Sequence, residues 1–380
     1  MLKVGILGIG NAGNQVANLG FAEGIPSFCI NTSEVDLNTI NVDIPAFILG
    51  NSGGAGKDRN IAKRLVKANY KDFLSVSNFE SFINTLDIVF IVASSGGGTG
   101  SGATIIISDI LSRVYPNKLF IIVGILPSLN ESVVAQKNTI EFFKELRGRN
   151  CSYMLYDNNK YKNLSNSEMM EKINSEIIEN TLYIRGDYSF LTKYGMIDNA
   201  DMYKILSVPG MISITTKKGF FEKDLEEGEK LDNLIIKEIK NNASVPIDKD
   251  KIVKRLGVIV NIQESLSRFY DPAVTNFKAA VGEPLDMFEH YFVFDDDEQY
   301  INRIAIITSG LSLPDDRITS TIQRIQEVEE QFKKKSKASV LDSINSLDDF
   351  NVDSIIDYDV DNKDVKTDVS KLEIDFFDNY

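Results

Sequence analysis

The spacing of apolar residues switches repeatedly between strand-like runs and helical stripes over the first part of the chain. Leu2–Leu7 is a short apolar run that reads as a buried strand, and Asn14–Gly24 follows with helical character. Pro26–Ile30 gives a second strand. Ile61, Leu65 and Ala68 then fall on one helical face. Asp87–Ala93 is strand-like, Ala103–Val114 can form a helix, and Leu119–Leu126 and Ser152–Leu155 complete the series. Strand, loop and helix in repetition predict a parallel sheet with helices on both faces. Ligands of such a sheet sit beyond the C-terminal ends of its strands.

The pattern then changes. Ser165 or Ser167 can cap a long helix, with Glu168 in its first turn and Met170, Ile173, Ile177 and Ile178 on its buried face. Beyond it, Met211–Thr216, Leu256–Ile262, Met287–Phe294 and Ile304–Thr308 are strand-like, while Leu231–Ile239 and Pro272–Val281 are helical. This mixture predicts a smaller α+β domain. Asp316–Ala338 carries Ile318, Ile322, Ile325, Val328 and Phe332 at helical spacing, with acids at its start and Lys333–Lys335 near its end, in accord with a helix dipole. The expected division is therefore 1–165, a linking helix over 166–192, a second domain over 193–315, a C-terminal helix over 316–338 and a flexible tail over 339–380.

Three glycine-rich loops interrupt the first half. The strongest is Ser94–Gly102, with five glycines in its last seven positions, placed between a strand and a helix. That arrangement offers backbone N–H groups to phosphate oxygens, and glycine permits the close approach. Thr99 and Ser101 add hydroxyl donors. The second loop, Gly8–Gly13, has the dinucleotide spacing, but the next strand ends in Asn31-Thr32-Ser33 and lacks the acid that would hold a ribose. A NAD-dependent oxidoreductase of Rossmann type remains an alternative at this point. Gly50–Lys57 contains Gly-Lys followed by Asp58, so it is not a Walker A loop.

Charge and composition narrow the classes. The net charge is −14, of which residues 339–380 carry −9. Direct DNA binding is disfavoured and a basic protein partner is favoured. One histidine, His290, excludes a histidine cluster, and Cys29 and Cys151 read as reduced packing residues of a cytoplasmic protein. No apolar run is long enough to span a bilayer, and no signal peptide is expected.

Taken together, the loops resemble the tubulin/FtsZ superfamily of GTPases. Gly96-Gly97-Gly98-Thr99-Gly100-Ser101-Gly102 resembles that family's signature, Gly10-Asn11-Ala12-Gly13-Asn14-Gln15 its first loop, Asn31-Thr32-Ser33 its second-strand loop and Leu126–Glu131 its ribose loop. The resemblance implies a parallel-sheet, Rossmann-like α/β GTPase domain joined by a central helix to a smaller α+β domain, with a long C-terminal helix and a disordered acidic tail. It implies GTP/GDP and Mg²⁺ as ligands. Gly96, Gly97, Gly98, Thr99, Gly100 and Ser101 would hold the outer phosphates; Gly10, Asn11 and Asn14 belong to the loop at the inner ones, with Asn11 near the metal shell and Asn31 in the adjoining loop. Gly54, Ala55, Gly56 and Lys57 would sense the γ-phosphate, Glu131 would accept from the ribose, and Asn158, or its neighbour Asn159, and Asn174 would contact the base. Asp198 and Asp201 match the family's acidic loop, which completes the pocket of the adjacent subunit in a head-to-tail filament. The Asn usual two residues before the first acid is Met196 here. The run Asp157–Lys160 and the long terminal helix resemble most the plasmid- and phage-borne TubZ group, which implies DNA segregation through a DNA-binding adaptor protein held by the tail. A cell-division filament of the FtsZ type is the alternative within the family.

Overall fold

In the computed structural model, which describes residues 2–50, 53–186, 197–225, 231–245, 247, 252–270, 281–296 and 300–344, the apolar runs become strands β1 (Val4–Ile9), β2 (Ser27–Asn31), β3 (Ala46–Ile48), β4 (Ile88–Ser94), β5 (Leu119–Leu126) and β6 (Ser152–Asp157). Between them lie α1 (Gly10–Ala22), α2 (Glu34–Leu37), α3 (Arg59–Leu74), α4 (Ser77–Asn84), α5 (Thr99–Val114) and α6 (Val133–Leu146). After α7 (Asn166–Arg185) and α8 (Asn199–Leu206) come β7 (Gly210–Lys218), α9 (Leu231–Asn242), β8 (Arg255–Gln263), α10 (Glu264–Ser267), β9 (Asp286–Phe294), β10 (Arg303–Leu311) and α11 (Asp315–Ile344).

All ten strands belong to one sheet, in the order β3-β2-β1-β4-β5-β6-β7-β10-β8-β9. The first seven in that order run parallel, as the alternation predicts. β10 is antiparallel to both β7 and β8. The two expected domains thus share a sheet, because Ser152–Met154 of β6 pair with Gly210–Ile212 of β7. β1, β4 and β5 are buried along nearly their whole length, which explains runs without alternation.

Several boundaries differ from expectation, and two share a cause. α1 starts at Gly10 instead of Asn14, and α5 at Thr99 instead of Ala103. Sequence rules place a helix start at a capping side chain and avoid glycine. Neither helix has a side-chain cap, and neither has an acid in its first turn. By contrast α3, α6, α7 and α8 start at Asp58, Ser132, Ser165 and Asp198, each accepting a backbone N–H of the first turn. α7 has the full capping box of Ser165 and Glu168, and hydrogen bonds from Ser165 hold the Glu168 carboxyl below its ordinary pKa. α7 closes at Gly186 in the left-handed conformation, φ 92°. The last part of the expected linking helix, 187–192, lies outside the described residues. So do all but the last residue of the expected helix 272–281, and 345–380 of the tail. α11 extends past the expected end at 338, to Ile344.

The chain divides into two units, 1–328 and 329–380. Of the second, the described part is the outer portion of α11.

Burial raises the pKa of Cys29 to about 12 and of Cys151 to about 11. At pH 8 a thiol with a pKa near 11 is ionised in roughly one molecule in a thousand. Neither cysteine is therefore expected to react with a thiol reagent within minutes in the folded protein, and both should react at once in denaturant, as counted by absorbance. Prompt labelling under native conditions would contradict their packing roles. His290 is also buried, at 2% exposure, and burial lowers its pKa. It lies in β9, in the other half of the sheet from the glycine loops.

Candidate functional site

The glycine loops meet at the C-terminal edge of β1, β2 and β4. A cleft of about 420 Å³ is lined there by Gly10, Asn11, Ala12, Ser33, Asp36, Gly53–Lys57, Ser94 and Gly97–Gly100. A second hollow of about 230 Å³ is lined by Glu131, Asn158, Asn166, Met169, Ile173 and Asn174. Ala12, Ser94 and Met170 line both, so the two are parts of one groove. Sequence-distant groups are thereby assembled along one groove, the glycine loops at one end and Glu131, Asn158 and Asn174 at the other.

The first part is built for an anion. α1 and α5 both open on it with their first-turn N–H groups unclaimed by any side chain. The loops touch closely: a Cβ added to Gly10, whose φ is +70°, would lie 3.0 Å from the Gly100 nitrogen. A Cβ on Gly98 would lie 2.9 Å from the Ala55 Cβ and 3.0 Å from the Asp58 nitrogen, which is the contact between the third loop and the signature. At Gly97 an added Cβ would meet nothing of the protein within 4 Å, because it points into the cleft space. Thr99 Oγ1 is 2.7 Å from Thr32 Oγ1. Lys57 lines the cleft with φ +66°, and its ammonium donates to Ser132 Oγ at 3.2 Å.

Three predicted residues lie behind the wall. Ser101 is fully buried; its hydroxyl donates to the Gly97 carbonyl and accepts from Arg59 Nε at 3.2 Å. It shapes the loop from beneath and does not line the cleft. Asn14 is also fully buried. In the amide orientation that satisfies its neighbours it donates to the Gly8, Gly10 and Ile30 carbonyls and accepts from Asn31. Asn31 in turn accepts from the N–H groups of Thr32 and Ser33 and donates to Asp36. Asn14 and Asn31 therefore bind the first two loops together.

The second hollow distinguishes the two asparagines left open by the sequence. Asn159 Oδ1 is engaged by the Leu129 N–H at 3.4 Å. Asn158 lines the hollow at 9% exposure, donates weakly to Glu131 Oε1 at 3.4 Å, and has a buried Oδ1 with no partner. A buried acceptor without a donor is costly. Its position in the hollow fits a ligand N–H, and Asn174 faces it from α7. Glu131 is exposed and accepts the Ser128 N–H at 2.8 Å.

Sequence reasoning missed several parts. Asn138 Nδ2 donates to the carbonyls of Lys57, Gly96 and Gly97, at 2.9, 3.1 and 3.2 Å, and so clamps the third loop to the signature. Arg59 is buried and joins Ser101 to Glu145. Asp36 lines the groove beside Ser33 of the second-strand loop, and so does Met170, which is 43% exposed and not on the buried face of α7 that the sequence predicts; Met169 is buried there instead. Asn138 and Arg59 have no local sequence mark, since each acts across a long separation.

Asp198 and Asp201 are not brought to this groove. Asp198 caps α8, accepting the Asp201 N–H at 2.8 Å, and Asp201 pairs with Lys204 at 3.3 Å. The helix sits at the opposite edge of the sheet. Val208 accepts from Ser152 at the start of β6, and Ile205 and Ile197 pack beside Gly257 near the start of β8. Within one copy the acids and the cleft thus occupy opposite strand ends. Among the described residues no cluster of three or more His, Cys, Asp or Glu side chains could hold a metal, and no helix is long and apolar enough to cross a membrane.

Fold and groove define an α/β protein of parallel-sheet type with two uncapped helix N-termini opening on one cleft at the C-terminal strand ends. Residues 3–166 match the Tubulin/FtsZ family, GTPase domain, and this part of the chain is a GTPase domain of that family. The phage TubZ of Clostridium botulinum, a tubulin-like protein, is 26% identical over 398 residues, covering 100% of this chain and 99% of its own. The tubulin-like protein CetZ of Pyrococcus abyssi is 28% identical over 247 residues, 62% of this chain and 66% of that one. The fold resembles a GTPγS-form protofilament structure of TubZ from Bacillus thuringiensis, with TM-score 0.72, 17% identity and coverage of 89% and 94%. The family match takes in the Gly8–Gly13 turn, so the dinucleotide reading of that turn gives way.

Proposed function

We propose that the chain binds GTP in this groove and hydrolyses it at the junction between head-to-tail copies of itself. The single observation that carries the reading is the bare start of α1 and α5 on one cleft, beside the unpartnered Asn158 oxygen. The amides of Gly97–Gly100 and Gly10–Asn11 donate to phosphate oxygens, with Thr99 adding a hydroxyl. Mg²⁺ would offset the phosphate charge, with Asn11 the residue near its shell. Glu131 accepts from the ribose. Asn158 and Asn174 contact guanine, and an amide suits a base edge that carries both donors and acceptors. Asp198 and Asp201 of the next copy orient water and accept its proton. Their place at the far sheet edge supports this division of labour, as does a protofilament among the related folds.

In the cell we assign this filament to moving plasmid or phage DNA through an adaptor protein held by the acidic tail. Full-length coverage by the phage TubZ supports that role over the division alternative, whose FtsZ relatives match a smaller share of the chain. A cytoplasmic location follows from the same reading. The test is sedimentation with GTP and with a slowly hydrolysed analogue, together with turnover at several protein concentrations. Pelleting with both nucleotides and a turnover per subunit that rises steeply with concentration are expected. A turnover per subunit independent of concentration would overturn the shared-site reading.

A further inference from the structure

The C-terminal helix reaches the nucleotide groove from behind. Arg317 of α11 is buried, and its Nε donates to Asp157 Oδ2 at 2.7 Å, with side-chain exposures of 5% and 6%. Its Nη2 donates to the Pro127 carbonyl at 2.6 Å, and its Nη1 donates to Thr321. The two main partners are Asp157, the last residue of β6, which pairs with Leu126 at the end of β5, and Pro127, the residue that follows. Each opens a loop of the groove. The other Asp157 oxygen accepts the Asn159 N–H at 3.0 Å, capping the 3-10 turn that presents Asn158. Pro127 opens the turn in which Ser128 and Glu131 are tied together. Two helical turns further along the same face, Arg324 Nε donates to the Leu129 carbonyl at 3.1 Å.

We propose that Arg317 is a positioning residue for guanine recognition: from the C-terminal helix it locks the Asp157 turn and the Pro127 turn in register, so that Asn158 and Glu131 meet base and ribose together. The inference rests on the groove being the GTP site. A planar fork with donors in fixed, spaced directions suits this bridge, whereas a lysine ammonium is a compact point charge on a flexible stem and does not hold the two acceptors in a fixed geometry. Lysine keeps the charge, so Asp157 is not left as an unpaired buried carboxylate. The phosphate grip, formed by α1 and α5, makes none of these contacts. Loss of the bridge should therefore weaken base discrimination and spare what the triphosphate alone contributes.

The test compares the full chain with its R317K and R324A variants, measuring dissociation constants for GTP and ATP by titration calorimetry beside thermal melts. In R317K the preference for GTP over ATP should fall at least tenfold, with ATP affinity within twofold of the parent. R324A, which loses the Leu129 contact and an exposed pairing with Glu327 within the helix, should shift the preference about threefold in the same direction. Equal weakening of GTP and ATP, or an unchanged preference, would show a merely structural role and overturn the inference. If R317K does not fold, an unchanged preference in R324A overturns it. A parent protein without any preference for GTP would instead overturn the reading of the groove itself, and the inference with it.

Discussion

Replacing Asp198 by asparagine is expected to lower GTP turnover about 100-fold or more, the size of a lost general base, while GTP binding and pelleting persist. The choice of asparagine matters. Asp198 also caps α8 by accepting the Asp201 N–H. Asparagine caps a helix about as well as aspartate, so the helix start survives and only the charge is lost. An alanine would confound the two roles. Asp201→Asn should behave alike, because its pairing with the exposed Lys204 contributes little to stability. Mixing adds a sharper test. A variant with a dead cleft keeps its acids, and D198N keeps its cleft. Each is inactive alone, yet a mixture should recover part of the turnover, since some junctions join an intact cleft to intact acids. Wild-type turnover in D198N, or mixtures no better than their components, would refute catalysis between copies.

The second large effect is expected at Gly97. A valine there meets no protein atom at its Cβ, because the position faces the cleft. The melting temperature without nucleotide should stay within a degree or two. GTP affinity should fall about 1000-fold, equivalent to roughly 4 kcal/mol, since the side chain occupies the space in which phosphate approaches the loop amides. Gly13→Ala makes the opposite pair of changes. Its Cβ would sit 2.0 Å from the Val92 carbonyl oxygen, where α1 crosses β4. That clash is expected to cost about 1–3 kcal/mol of stability or more, visible as a lower melting temperature. Calorimetry and a thermal melt on the two variants separate the roles. Retained GTP affinity in G97V would exclude this cleft as the phosphate site.

Much of the sheet was legible because its strands are apolar runs of strand length. β5 coincides with the run Leu119–Leu126, and the parallel order follows from the alternation with helices. The starts of α1 and α5 were placed four residues late for a physical reason. Helix rules look for capping oxygens, and here a cap would occupy the donors that an anion needs. Local rules failed where the fold leaves work for a ligand. Of the two candidate base readers, only coordinates show that Asn159 is tied to Leu129 while the Asn158 oxygen is buried without a partner. The inward turn of Ser101 follows from its place two residues past Thr99, roughly half a turn round α5, which the motif does not state. Arg317 was read only as part of an amphipathic helix, because its partner Asp157 is 160 residues away. The single sheet was missed for the same reason, since the β6–β7 pairing joins segments separated by α7 and α8.

If the carboxylates of one copy finish the groove of the next, as proposed from their places at opposite strand ends, a row of n copies holds n nucleotides but only n − 1 finished reaction centres. In such a row the outermost copy at the groove-bearing end keeps its fuel until a newcomer docks, and docking starts that copy's clock. Time since contact, and not time since loading, then sets when each link is spent. Fast growth leaves a deep unspent margin at one tip, slow growth a thin one, and the opposite tip has none.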